Sequence, residues 1–518
     1  MTSRTEKIIE YLSPRWAKSR AENRVEIGAL NGKYDSASTT SAIFQEVITT
    51  ITDADSSVSW DLNRLRARAR DNVRNVPVAT ALIKRTCDHA IGANGLTLHP
   101  QVDREVLGIS EDQAVDWQDK TESEWKLYSE STECDYYRTL TFPEMTYLTL
   151  QSELEGGDCF TVFTNVKRPG SDYNLKLQTI EAEYISNPNY QTNTSNLIEG
   201  IEKRSGVPYK YYISQKHPGD RIGNLQNKWF ERLIYNPETG RRNVLHHFDK
   251  IRPGQTRGVP VLGPVTGKLL QIGRLSNAEL LAAVINSFYT LVLQGPPADT
   301  KLSKSAPTET NTTATDEDKL TMGAGSIWRL KTGSSVEAFD PKRPNAQFEP
   351  FFQAMVSEIG AAVGVPRSLI LMSFDKSYSA SRGEVLLAWV YFLAKRTHTA
   401  VSYCQPTYTA FLDEAVATGR IIAPGYFSDY RIKNAYCGSA YNQWTGPTRP
   451  AIDELKEANA LEKLHSLGTQ SLQEITAKTT GKQWRKVNEQ IIRENKLRAV
   501  KGIEPPIEDE IIEEDEEE

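Results

Sequence analysis

Three features of the sequence predict an α+β fold. Helix signals fill residues 62–154, short strand signals fill 159–248, and from about Val261 the chain returns to long helices that continue, around a polar excursion, to residue 502. Helices and strands are segregated along the chain, the pattern of an α+β domain with a meander of strands. At 518 residues the chain exceeds one ordinary core and should split into two or three regions.

The elements follow in order. Residues 1–60 read as a loosely structured arm that ends in the polar run DSASTTSAIFQEVITTITDADSSVSW. A helix begins at Leu62, and its Arg66, Arg70 and Arg74 recur at i, i+4, i+8 as one basic stripe. Asn75-Val76-Pro77 restarts the helix, because proline suits a first turn and not an interior. Val76, Ile83, Cys87 and Ala90 give the new helix an apolar stripe, and Gly92 is placed to cap it. Thr141-Phe142-Pro143-Glu144 is a capping box for a helix to about Leu154, which Gly156-Gly157 breaks. Strands are expected at CFTVFTN (159–165), at 175–185, as a pair within 197–214 turning at Ser205-Gly206, and at NVLHHF (243–248). A long helix covers 261–293 and ends at Gln294-Gly295-Pro296-Pro297. Residues 298–319 are polar and of low complexity, and SIWRLKTGSSVEAF is a small β-rich piece. A helix over 345–364 stops at Gly364 and Pro366, and another runs from about Ala380 to Gly419, bent near Pro406. Residues 450–502 read as all helical.

Composition narrows the class. With 39% hydrophobic and 25% charged residues the chain has the make-up of a globular protein. The charged opening MTSRTEKIIEYL shows no secretory pattern. The most apolar stretch, 278–293, is short for a bilayer and carries Glu279, Asn286 and Ser287, so it predicts a buried helix and no membrane partner. Five cysteines without a CxxC pair predict free thiols in a reducing compartment. The tail IEPPIEDEIIEEDEEE (503–518) holds ten acidic residues, and removing it turns a net charge of −6 into +4. A mildly basic body with an acidic tail suits an assembly that meets nucleic acid without gripping it; a tail that only maintains solubility is the other reading.

Catalytic motifs fail on inspection. Gly263-Pro-Val-Thr-Gly267-Lys268 is one residue short of a P-loop, and Leu269 stands where a magnesium-binding Ser or Thr is needed. Gly323-Ala-Gly325 lacks the third glycine of a dinucleotide loop, and in IGANG the helix precedes the glycines instead of following them. Ser123-Glu-Trp-Lys126, Ser171-Asp172-Tyr173 and Lys331-Thr332-Gly333 follow the order of serine β-lactamase motifs, but Ser123 falls in mid-helix and Tyr173 replaces an asparagine. The seven histidines show no metal-ligand spacing, and His246-His247 must alternate across a strand. No enzyme, cofactor or metal is therefore expected.

The most specific residues are of another kind: RARARDNVRNVP (66–77), the glycine turn IGANGL, LQTIEAEYI (177–185) and above all RPGQTRGVPVLGPV (252–265). Residues 340–370 and SYSASRGEVLLAWVYF (377–392) complete the series. In this order, from about Tyr34 to Glu457, they resemble the portal proteins of lambda-type tailed bacteriophages. The resemblance implies a portal fold in a ring oligomer, a dodecamer in the family, with an N-terminal arm (1–60) and a mixed wing domain (61–260). It implies two stem helices (261–293 and 345–364) around a DNA channel and a small β-containing clip (294–344). Residues 365–449 become the tunnel loop and wing return, 450–502 a helical crown, and 503–518 the acidic tail. The implied partners are double-stranded DNA, the terminase large subunit, head–tail adaptor or neck proteins, and the major capsid or scaffolding protein. The implied location is the portal vertex of a virion assembled in the host cytoplasm.

Within that frame Lys376, Tyr378, Ser379, Ser381 and Arg382 are the candidates for the DNA-facing loop, two bases among polar neighbours. Arg382 has a second reading, as a first-turn residue with an ionic partner. Gly254, Arg257, Gly258, Pro260, Arg70 and Pro77 are the structural residues of the family motifs, and the arginines of 66–74 read as partners of acidic groups or neighbouring subunits, with DNA contact as the other reading. Two competing classes remain. A packaging ATPase needs the nucleotide site that is missing, and a head–tail adaptor or tail-tube protein is usually shorter.

Overall fold

The computed structural model describes residues 15–16, 18–19, 51–220, 227–288, 347–373, 377–450 and 453–501. The chain divides into a segment ending at Ser57 and a body beginning at Val58. In the first, the Asp53 carboxylate accepts from the Ser56 N–H at 3.1 Å and opens a helical turn at Ala54.

The body begins with α1 (Leu62–Asn75) and α2 (Pro77–Ala90). Val76 between them is extended, at φ −116° and ψ 109°, because the pyrrolidine ring of a following proline disfavours the helical region. Val76, Ile83, Cys87 and Ala90 are all buried, so α2 is a core helix as its stripe predicts. Gly92 ends it at φ +76° with its N–H on the Cys87 carbonyl, and a Cβ there would lie 2.4 Å from Pro447. The next long helices are α3 (Glu111–Ser129) and α4 (Phe142–Gly156). The predicted box opens α4, with Glu144 accepting from both the N–H and the hydroxyl of Thr141.

Besides the two-residue ladder of β1 (Thr97–Leu98) with β9 (Trp444–Thr445), the described residues of the body hold two antiparallel sheets. In the first, β2 (Asp158–Asn165) lies between β3 (Leu175–Glu181) and β8 (Val244–Phe248), which sets Phe160 opposite both Ile180 and His246. In the second, β4 (Leu197–Ile198), β5 (Ile201–Arg204), β6 (Val207–Ser214) and β7 (Trp229–Leu233) run in order. The β5–β6 turn is at Ser205-Gly206, both at positive φ, the geometry that matches strand twist in a two-residue hairpin. The strand expected over 175–185 stops at Glu181, where Ala182–Tyr184 tightens into a 3-10 turn. β7, with no apolar alternation, is not predicted by the sequence.

α5 (Thr266–Phe288) starts after a 3-10 turn at Gly263–Val265, later than the expected residue 261, because Pro264 withholds the N–H that an earlier start would use. α6 (Phe348–Val363) packs against it, joined by a Lys268–Glu358 ion pair, and stops at Gly364 with φ +98°. The polar excursion and the β-rich piece expected over 294–344 lie outside the described residues. The last long helix bends as expected: α7 (Tyr378–Thr399) passes through a π turn at Ala400–Cys404 into α8 (Gln405–Ala417). Pro406 has no N–H for the carbonyl four residues back, and the Gln405 N–H reaches Ala400 instead, so one residue is absorbed in the wider turn. The chain continues with α9 (Glu454–Ser466), α10 (Leu472–Thr480) and α11 (Trp484–Lys501), and Arg485 and Lys486 tie α11 to Asp119 and Glu122 on α3.

The main core centres on Trp125, which meets Phe142, Phe411, Tyr408 and Trp444 edge-on at ring separations of 5.0–5.8 Å. A smaller core of Phe160, Ile180, Ile201, Tyr211 and Val244 joins the two sheets. All five cysteines are free and buried, matching the expectation of thiols. No helix among the described residues is long and apolar enough to cross a membrane.

Candidate functional site

The motif RPGQTRGVP builds a buried ionic lock. Asp158, the first residue of β2, is fully buried and is met by two arginines from distant parts of the chain. Arg66 of α1 donates to Asp158 Oδ1 at 2.6 Å and to the Gly156 carbonyl at 2.8 Å. Arg257 donates to Asp158 Oδ2 at 2.6 Å and Oδ1 at 3.3 Å, and its remaining N–H groups reach the carbonyls of Ala182, Ile185 and Glu199. The Gly258 N–H and His246 Nε2 complete the ring around Asp158 at 3.2 Å each. Burial alone would push the Asp158 carboxyl up, but Arg257 and Arg66 outweigh it and hold it well below the usual carboxylate range. One guanidinium thus ties the first sheet, the turn after β3 and the β4–β5 connection together, with every N–H placed where a lysine has no fork to match it.

The other motif residues take supporting places. Gly258 lies against Gly157, backbone to backbone. Gly254 is exposed at φ +82° in the turn before it, and Gln255 closes that turn by accepting from the N–H groups of Ile251 and Arg252. Pro260 is buried and its carbonyl accepts from the Gly263 N–H. Pro77 is the first residue of α2. Arg70 grips Glu183 with two N–H groups, at 2.6 and 2.9 Å, with Glu181 at 3.7 Å. The basic stripe of α1 is therefore graded. Arg66 is buried, Arg70 half-buried and Arg74 exposed, because Arg66 reaches Asp158 at the head of β2 and Arg70 reaches Glu183 in the turn after β3.

The candidate DNA-facing residues are spread out. Lys376 lies outside the described residues. Tyr378 is the first residue of α7, Ser379 is exposed, and Ser381 is buried with its N–H on the Ser377 carbonyl. Arg382 sits 3.7 Å from Glu457 on α9, which also holds Arg449 at 3.1 Å. Two of the decoy motifs are ordinary structure, while Gly323-Ala-Gly325 and Lys331-Thr332-Gly333 lie outside the described residues. Ser123 donates to the carbonyl of Asp119 within α3, and Lys268 is the α5 partner of Glu358.

The sequence reading missed Asp158, Glu153 and His247. An acid directly after Gly156-Gly157 at the head of an apolar strand was the available signal, since a charge there needs a partner. β8 sends His246 to Asp158 and His247 to Glu153, on opposite faces as strand alternation requires.

The described residues thus form a helix-rich α+β body that carries two packed long helices and is fastened by an arginine–aspartate lock. The profile of the family described as phage portal protein, lambda family, matches residues 40–396, and the chain belongs to that family. It is 25% identical over 478 residues to portal protein B of Escherichia phage lambda, covering 87% of each chain. It is also 25% identical over 477 residues to the portal protein of Escherichia phage N15, covering 88% of each. Among solved structures, a chain from the virion of the native gene transfer agent particle superposes with a TM-score of 0.42 at 13% identity, over 80% of this chain and 92% of that one.

Proposed function

We propose that this portal protein closes into a ring, a dodecamer by likeness to its family, at one vertex of the capsid, and that DNA enters and leaves through the ring. The observation that carries the ring is the open apolar face of the long helices. Leu280 and Leu281 on α5 and Leu387 and Val390 on α7 stand largely exposed in a single chain. Neighbouring copies around a closed ring would bury such faces. Native mass measurement and negative-stain images of the purified protein test it: a closed multimer with a central hole is expected, and a stable monomer with metal-dependent ATP hydrolysis would overturn it.

In this reading α5 and α6 belong to the stem, 294–344 is the clip that docks the terminase large subunit and later the neck or adaptor proteins, and 450–502 is the crown. Contacts to the major capsid or scaffolding protein come from the outer part of the ring. The polar composition of 298–319 suits an interface that exchanges partners. Deleting 300–318 should leave rings intact and weaken packaging; normal infectious particles would refute the docking role. The protein is read as structural, without hydrolase activity.

Segment 373–382 is the proposed channel loop. The Arg382–Glu457 pair leaves Lys376 as the cation to test. Passing DNA must be touched weakly, since each neutralised phosphate adds salt-dependent affinity and a ring multiplies it by its copy number. Lys376→Glu should assemble normally and package less DNA. Unchanged packaging across several salt concentrations would remove Lys376 from the channel wall. The acidic tail, proposed to face the capsid interior and repel DNA, is tested by truncation after Gly502. A drop in soluble yield with packaging untouched would make it a solubility tail only.

A further inference from the structure

Away from the arginine lock, three elements bring Glu153 of α4, His247 of β8 and His398 of α7 to one point. Glu153 Oε2 lies 2.6 Å from His247 Nε2 and 3.5 Å from His398 Nε2. The three atoms all lie within 4.8 Å of one another, and the two imidazole rings are 4.7 Å apart, tilted by 33°. Glu153 and His247 are almost completely buried, while His398 keeps 29% of its side chain open to solvent. None of the three atoms makes a hydrogen bond.

The surrounding bonds decide what these atoms carry. The Ser402 hydroxyl donates to the His398 carbonyl at 2.6 Å, so its oxygen is left to accept from His247 Nδ1 at 2.5 Å. That places a proton on Nδ1; in the neutral ring Nε2 then carries a lone pair, pointing at a carboxylate oxygen. Buried at 2.6 Å, these two atoms need a positive charge between them, either a second ring proton on Nε2 or a cation at the site. Lys395 supplies no such cation at this point. It binds the other oxygen, Oε1, at 3.3 Å and is held by Asp249 at 2.9 Å. Oε1 is thereby anchored and Oε2 is left for the site.

We propose that Glu153, His247 and His398 bind a divalent transition-metal ion of the zinc type. Two imidazole nitrogens and one carboxylate oxygen form a set that zinc takes readily, with a fourth position for water. Tetrahedral bonds of about 2.0–2.1 Å place ligand atoms about 3.3 Å apart, and the observed 2.6 and 3.5 Å bracket that edge. Ser402 acts as the outer partner that fixes the tautomer of His247, as ligand histidines require. The open side of His398 gives the ion a way in. The ligands come from a helix, a strand and the last turn before the π turn Ala400–Cys404, so the ion would clamp the wider turn against the first sheet. A second triple, Glu181, Glu183 and His217, differs in kind, because Arg70 already occupies both oxygens of Glu183.

The test uses the full-length purified protein, stripped with EDTA, given zinc chloride and desalted. Metal content by mass spectrometry, the thermal midpoint, and the visible spectrum after cobalt(II) substitution are then read. Close to one ion per subunit is expected, with a midpoint several degrees above the stripped protein and cobalt absorption of a low-coordinate nitrogen–oxygen site. His398→Ala, at the open edge, should lower zinc affinity at least tenfold and lose the midpoint response while keeping the stripped protein's midpoint. His247→Gln should do the same to the metal content. Wild-type protein that holds no zinc and shows no midpoint response overturns the site and leaves a charged His247 paired with Glu153. Zinc retained equally by wild type and both variants overturns it too, by placing the metal elsewhere. If His398→Ala does not fold, the zinc and EDTA arms on wild type decide alone.

Discussion

Gly258 and Gly157 face each other so closely that a Cβ on Gly258 would sit 1.8 Å from the Gly157 carbonyl oxygen and 2.5 Å from its carbon. Both neighbours are backbone, and the same residues are fixed by the bonds around Asp158. Neither partner has room to withdraw.

Gly258→Ala should therefore cost more than about 3 kcal/mol, because the methyl must move strand and loop together. Gly254→Ala in the same motif is the contrast. It has positive φ but open space around its Cβ, so only the left-handed penalty of about 1–2 kcal/mol applies. Urea unfolding of both variants checks the ratio; equal losses would mean that the glycine contact is not the constraint.

Arg257→Lys should destabilise by roughly 3–5 kcal/mol, since one ammonium cannot serve Asp158 and three carbonyls at once. Arg70→Lys, a half-buried pair with Glu183, should lose about 1 kcal/mol or less. Chemical denaturation at fixed salt measures both, and a similar small loss in each would deny Arg257 its place as the lock.

Acid sensitivity follows from Glu183. Burial pushes its carboxyl up, but the Arg70 hydrogen bonds and the nearby Arg66 outweigh it and keep it below the usual range. A depressed carboxylate stabilises the fold above its unfolded value of about 4.3, and that stability is lost as pH falls through the folded value. Glu183→Gln should flatten stability against pH below about 4.5 and change little of the slope from pH 5 to 8. An unchanged acid slope would show that Glu183 is not linked to folding.

Leu387→Ser with Val390→Ser should leave the folded subunit within about 0.5 kcal/mol of wild type, because both side chains are already exposed. The same pair should weaken or abolish ring assembly, read by native mass. Rings of full stability would mean that this face of α7 lies outside the subunit contact.

Local rules sufficed wherever the signal was contained in a few neighbouring residues. The Thr141–Glu144 box, the restart at Pro77, the Gly92 cap, the turn at Ser205-Gly206 and the bend near Pro406 each depend on backbone preferences or missing N–H groups within a turn, and the sequence by itself determined them. The motif RPGQTRGVP was visible as specific, but its purpose was not. Arg257 meets an acid 99 residues away, and Arg66 meets the same acid 92 residues away. β7 escaped notice because its pairing to β6, not its own pattern, makes it a strand. Glu153, His247 and His398 gave no spacing to read, for they belong to three elements that only packing brings together. Only the tertiary structure decided which charges are buried as partners, because the energy of a buried ion depends on the groups around it in space and not on its neighbours in the chain.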